Sequence, residues 1–175
     1  MFKKISYFIL FISHVIVCAQ AAPLRVVTSF SILADWTKQI GGERVAVQNI
    51  VPADTDSHHY EVTAQNMRAL QQAQLVVKQG LHFDAWLDRL IPSGKGAPKV
   101  WQATAGLSLL KNADGALDPH TWQDIVRSQQ SVSQLAQVLI ALDPAGKSYY
   151  QQRLRAYLQQ LQATQIWAQN QFATI

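Results

Sequence analysis

Residues 24–53 read LRVVTSFSILADWTKQIGGERVAVQNIVPA, and the order of the patterns in this stretch decides the fold. Residues 24–30 form a β-branched run and are expected as a strand. Over residues 32–40 the period changes. Ile32, Leu33, Trp36 and Ile40 fall on one face of a helix, which Gly41 and Gly42 then stop. Residues 44–51 (RVAVQNIV) make a second strand, broken by Pro52. Strand, helix and strand in so short a length is the unit from which parallel sheets are built.

The same alternation continues outward. A polar loop at residues 53–62 leads to Thr63, which is placed to cap a helix with Met67, Leu70 and Ala73 on one face. Residues 75–78 (LVVK) are a short buried strand closed by Gly80. Phe83, Trp86, Leu87 and Leu90 predict a helix over 83–91, and KVWQA at 99–103 predicts a fourth strand. The fold class is therefore α/β, a four-stranded parallel sheet flanked by helices through right-handed crossovers. After Ala103 the character changes. A loop at 104–120 precedes a helix over about 122–142, and Asp143-Pro144 reads as an N-cap with proline at the first position of a long helix over 144–172. About 28 residues of helix span roughly 42 Å, more than a domain of this size shelters, so the chain is expected to be part of a larger protein.

The first residues carry Lys3 and Lys4, an apolar run over 7–18 and then Ala19-Gln20-Ala21, the pattern of a secretory signal peptide cleaved near residue 22. The run is shorter than the roughly 20 residues that cross a bilayer. Lipidation at Cys18 is the alternative, against which stands the bulky Val17 before it. The expected organisation is a signal peptide at 1–22, an α/β unit at 23–142 and a long helix at 143–175. Cleavage would remove the only cysteine, so no disulfide is expected, and 49% apolar with 15% charged residues suits a chain held by its core. Loss of Lys3 and Lys4 takes the 15 basic residues to 13 against 11 acidic ones, and the net charge from +4 to +2. No basic run with interleaved aromatics is present, which argues against a nucleic-acid partner.

In an open parallel sheet, ligands bind beyond the carboxyl ends of the strands. His58 and His59 lie in DSHHYE (56–61) after the second strand, and His120 lies in DPHTW (118–122) after the fourth, so both loops emerge on one edge. Two neutral imidazoles there suit part of a site for Zn²⁺ or a similar divalent ion, with Asp56, Glu61, Asp118 and Asp124 as acceptors that orient the rings. Taken alone, the residues also fit a solvated polar loop at 56–61 and a turn before a helix at His120; His82 reads as a polar residue at a helix start. A zinc-dependent hydrolase holding its metal through His58 and His120 is the competing class. No His-Glu-x-x-His, Gly-x-Ser-x-Gly or phosphate-cradling glycine loop supports it, and the chain is expected not to be an enzyme.

These motifs resemble the N-terminal lobe of the periplasmic metal-binding proteins of zinc and manganese ABC transporters, the cluster A-I or ZnuA/TroA-like solute-binding family. The resemblance covers residues 24–175. It rests on Val27-Thr28-Ser29-Phe30, on DSHHYE in the place of Asp-Pro-His-x-Tyr/Phe-Glu, on Gly80-Leu81 followed by Trp86, on DPHTW, and on Leu142-Asp143-Pro144 with Tyr149-Tyr150. It implies that His58 and His120 are metal ligands and that His59 occupies a variable position. Ser57 and Ile125 depart from the family's usual prolines without removing a donor. The resemblance further implies a second α/β lobe beyond a long rigid helix, supplying a His or Glu and then an Asp or Glu, all past Ile175. The implied function is capture in the periplasm of Zn²⁺, alternatively Mn²⁺, for delivery to an ABC transporter membrane permease, by a protein that is a monomer when full length. A metal-binding surface adhesin is the remaining alternative. Residues 104–117 contain no histidine, unlike the His-rich loop of many zinc members.

Overall fold

The computed structural model describes residues 22–57 and 60–173; the expected signal peptide (but for Ala22), His58 and His59 lie outside the described residues. The order of elements is β1 (Leu24–Phe30), α1 (Ser31–Gly41), β2 (Val45–Val51), α2 (Ala64–Gln72), β3 (Leu75–Lys78), β4 (Lys99–Gln102), α3 (Ile125–Leu142) and α4 (Lys147–Phe172). The four strands form one parallel sheet in the order β2-β1-β3-β4. Register is set by the apolar residues. Val26 lies between Val47 and Leu75, and Val76 lies beside Val100. β1 connects to one side and β2 returns across it to β3, and with the right-handed crossovers that parallel strands favour, this order calls for α1 and α2 on opposite faces.

The core follows the predicted periods. Leu33, Trp36 and Ile40 of α1 are buried against β1 and β2, and Val132, Leu135, Ala136 and Leu139 form the inward stripe of α3. Truncating a fully buried leucine such as Leu135 to alanine would cost about 2–5 kcal/mol. Helix α1 ends at Gly42, whose φ of 50° is the left-handed conformation that glycine adopts without penalty. Thr63 caps α2 through a reciprocal pair of bonds with Asn66, as expected of its position.

Three expectations need correction. Residues 83–91 are not an α-helix: a turn leads into a short 3-10 helix at Ala85–Arg89. The Gly80-Leu81-His82 backbone is left-handed at all three residues, which no α-helix start accommodates. The helix expected from residue 122 begins at Ile125, after a 3-10 turn at Thr121–Gln123. Asp143 is not a side-chain N-cap. Its carboxylate takes two bonds from Arg44, at 2.6 and 2.8 Å, and one from the Tyr150 hydroxyl at 2.7 Å, so Pro144–Gly146 is a 3-10 turn and α4 starts at Lys147.

That network roots α4 on the lobe. Arg44 holds the Asp143 carboxyl below the usual carboxylate range, and burial together with Asp143 pushes the Tyr150 phenol up. Around it Arg153 donates to the Gln39 carbonyl at 2.8 Å, the Glu43 N–H donates to the Tyr149 oxygen at 3.2 Å, and Tyr157 reaches Asp35 at 3.3 Å. Further along, Ile166, Trp167 and Phe172 are exposed. The helix is 26 residues, about 39 Å at 1.5 Å per residue. Among the described residues, no helix is long and apolar enough to cross a membrane.

Candidate metal centre

The order of strands reverses between β1 and β3, so the crevice that α/β sheets use for ligands opens beyond Phe30 and Gln79. Phe30, Phe83 and Trp122 fill its floor with ring centroids 4.9–5.1 Å apart in tilted and edge contacts. His120 stands on this floor, edge-on to Phe83 at 5.8 Å and to Trp122 at 5.2 Å.

A two-residue turn fixes the imidazole. Asp118 Oδ1 accepts the His120 backbone N–H at 2.9 Å and lies 2.7 Å from His120 Nδ1. The backbone bond first, then the ring contact, hold the Asp118 carboxyl below the usual carboxylate range. An ionised carboxylate on Nδ1 favours the tautomer protonated at Nδ1 and leaves Nε2 as the lone-pair nitrogen, the tautomer a metal-ligating histidine uses. The side chain is 38% exposed, so an ion from solvent can reach it. A cleft of about 210 Å³ beside it is lined by Leu110, Asp118, His120, Thr121, Asp124 and Arg127.

Of the four carboxylates expected to orient imidazoles, Asp118 does so for His120. Asp124 instead caps α3, accepting the Arg127 N–H at 3.1 Å and pairing with the Arg127 guanidinium. Glu61 is exposed. His82 is exposed in its left-handed turn, ahead of the 3-10 helix. His58 is outside the described residues, but both ends of its loop are anchored. Trp86 Nε1 donates to the Ser57 carbonyl at 3.1 Å, and the Tyr60 ring lies 5.9 Å from that of Trp86 while its hydroxyl reaches Asn66 at 3.4 Å. Among the described residues, no group of three or more His, Cys, Asp or Glu side chains is assembled for a metal ion.

Two contacts do not follow from the sequence. Trp86 belongs to the helical stripe and to the family resemblance, but the tie its N–H makes between the β3 loop and the first motif shows only in the structure. Gln79, an amide directly following an apolar strand, is completely buried and bonds to the second motif; its position after LVVK was the one available signal.

Residues 26–175 match the family described as ZnuA, zinc-uptake complex component A periplasmic. The chain is 36% identical over 153 residues to the manganese-binding lipoprotein MntA of Halalkalibacterium halodurans, covering 87% of this chain and 51% of that protein. It is 33% identical to the manganese ABC transporter substrate-binding lipoprotein PsaA of Streptococcus pneumoniae, covering 87% and 52%. Among solved structures it resembles the Mn-bound periplasmic metal binding protein of Candidatus Liberibacter asiaticus, with a TM-score of 0.72, 29% identity and coverage of 77% and 52%. The Zn(II)-bound ZnuA-like domain of Streptococcus pneumoniae AdcA gives a TM-score of 0.72, 29% identity and coverage of 81% and 52%. The chain thus spans about half the length of the curated relatives it matches.

Proposed function

The chain belongs to the family of periplasmic zinc-uptake component A proteins, and from that premise we propose that it supplies the first-lobe half of a divalent-metal site in the solute-binding component of an ABC transporter. The observation that carries this reading is His120, its Nδ1 held by Asp118 on an aromatic floor at the switch point of the sheet. In this reading His120 Nε2 and His58 are the two imidazole donors and His59 is not a donor. Residues 23–142 are the metal-binding lobe, and residues 143–175 lead along α4 toward a second lobe that supplies the remaining ligands. Capture takes place in the periplasm after export, and the partner is a membrane permease. The full-length protein acts as a monomer.

Neutral imidazole favours Zn²⁺, which is the cargo proposed here; Mn²⁺ prefers oxygen donors. The manganese names of MntA and PsaA motivate the second reading, in which oxygen ligands from the other half tilt the site to Mn²⁺. Those lipoprotein names likewise make lipidation at Cys18 the alternative to cleavage near residue 22. A competition titration with Zn²⁺ and with Mn²⁺ tests the assignment. His58→Ala and His120→Ala are expected to abolish most of the affinity and His59→Ala to change it little. Equal losses in all three variants would refute the ligand assignment, and a preference for Mn²⁺ would replace the zinc reading.

A further inference from the structure

Beyond β3 the backbone passes through three consecutive left-handed residues, Gly80, Leu81 and His82, with φ of 88°, 51° and 65°. Residues with side chains rarely take this conformation, and where they do, the surrounding structure enforces it. Here Asp84, itself buried, accepts the N–H groups of Gln79 at 2.6 Å and Gly80 at 3.0 Å, while Lys78 pairs with Asp88. The Gln79 carbonyl also accepts the Thr104 hydroxyl at 2.8 Å. Every main-chain group of Gln79 is therefore fixed before its side chain is considered.

That side chain reaches across to the second motif. Gln79 Nε2 donates to the Pro119 carbonyl at 2.5 Å and to Thr121 Oγ1 at 3.0 Å, the residues on either side of His120. A carbonyl can only accept, so Pro119 dictates which way the amide faces. The consequence is that Gln79 Oε1 is buried without a hydrogen-bond partner among the described residues, an unusual state for a buried acceptor. Both polar contacts of the amide are therefore made to the residues that flank His120. An apolar side chain of the same volume would remove the orphaned oxygen but leave the Pro119 carbonyl and the Thr121 hydroxyl without that donor.

We infer that Gln79 is a positioning residue for His120: its buried amide grips both neighbours of the histidine and sets where the imidazole stands before any metal arrives. The inference rests on the reading of His120 as a ligand. It differs from a purely structural role in what it predicts. A structural residue lowers stability and metal affinity together, whereas a positioning residue loosens the ring in the metal-free protein and lowers affinity beyond what stability accounts for.

The test compares Gln79→Met, which keeps the volume and deletes both donors, with Thr121→Val, which deletes one acceptor. Thr37→Val serves as a control, since it removes a buried hydroxyl bond to the Leu33 carbonyl in α1. The readouts are the metal-free melting temperature, the affinity for Zn²⁺ alone by competition, and the ¹⁵N signals of the His120 ring in metal-free protein. Expected are a loss of zinc affinity of roughly tenfold or more in Gln79→Met, in the range found for groups behind a ligand, a smaller loss in Thr121→Val, and broadened or shifted His120 ring signals in both. The inference is overturned if Gln79→Met and Thr37→Val lower the melting temperature alike and leave the ring signals and zinc affinity unchanged. Should Gln79→Met fail to fold, Thr121→Val decides by the same two readouts. If the wild-type chain takes up no zinc, the metal reading fails on its own, and the metal-free ring signals still decide whether Gln79 positions His120.

Discussion

Tyr150→Phe isolates one bond at the root of α4. The ring is completely buried, so phenylalanine keeps the packing and deletes only the hydroxyl that donates to Asp143 Oδ2 at 2.7 Å. The acceptor is a carboxylate, and hydrogen bonds to charged groups contribute about 1.5–3 kcal/mol. Arg44 continues to satisfy Asp143 with its two bonds, so no uncompensated charge is left and the middle of that range, about 2 kcal/mol, applies. For a chain of this size each kcal/mol moves the melting temperature by about 2–4 °C, which gives a drop of about 4–8 °C. Thermal unfolding followed by circular dichroism at neutral pH measures it. A double-mutant cycle with Arg44→Met should show coupling of about 0.5–3 kcal/mol, because both side chains meet one carboxylate. The root lies before β2, at the opposite edge of the sheet from His120, so zinc affinity should stay unchanged. A midpoint within about 1 °C of wild type, or strictly additive effects in the cycle, would refute the claim that this network holds α4 to the lobe.

Other consequences are independent of that root. Burial, with Asp35 nearby, pushes the Tyr157 phenol from 10 to about 12. The folded value is the higher one, so its contribution to stability is complete below about pH 10 and is lost as pH rises toward about 12; Tyr157→Phe should flatten part of that slope in urea titrations across the range. Asp143 runs the other way. Its folded value is depressed by Arg44, so its contribution is complete above about pH 4 and lost as pH falls through the folded value, and Asp143→Asn should weaken the acid dependence of the midpoint. Gly80→Ala should destabilise by about 1–2 kcal/mol or more from the left-handed backbone alone, and a Cβ there would meet Gln102 Oε1 at 2.5 Å; an unchanged denaturant midpoint would contradict it. Trp86→Phe keeps the ring beside Tyr60 but deletes the bond to the Ser57 carbonyl, so it should weaken zinc binding a few-fold with little loss of stability, as read by competition titration and melting.

Where local pattern and tertiary environment agree, the sequence was sufficient. Val26, Val27, Leu75, Val76 and Val77 are an apolar run because their strands are covered on both faces, and Leu33, Trp36 and Ile40 are spaced by the helix they form. Phe83, Trp86, Leu87 and Leu90 misled because spacings of three and four serve a 3-10 turn docked on the sheet as well as an α-helix. What excludes the helix is the left-handed turn at residues 80–82, and Asp84 stabilises that turn through main-chain groups no periodicity reveals. Asp143 misled for a related reason. Asp-Pro at a helix start is a sound local signal, but Arg44, 99 residues away, claims the carboxylate. The second motif was legible down to its Asp118 acceptor. Gln79 was not, because nothing in a single glutamine after a strand shows what its amide reaches.

The claim that the chain carries half of a metal site through two imidazoles is tested most directly by X-ray absorption at the zinc edge on the zinc-loaded chain. The account predicts imidazole nitrogens at about 2.0–2.1 Å, with the outer-shell ring scattering of two histidines in the wild type and of one in His120→Ala. A zinc shell without ring scattering, or one that His120→Ala leaves unchanged, would contradict it.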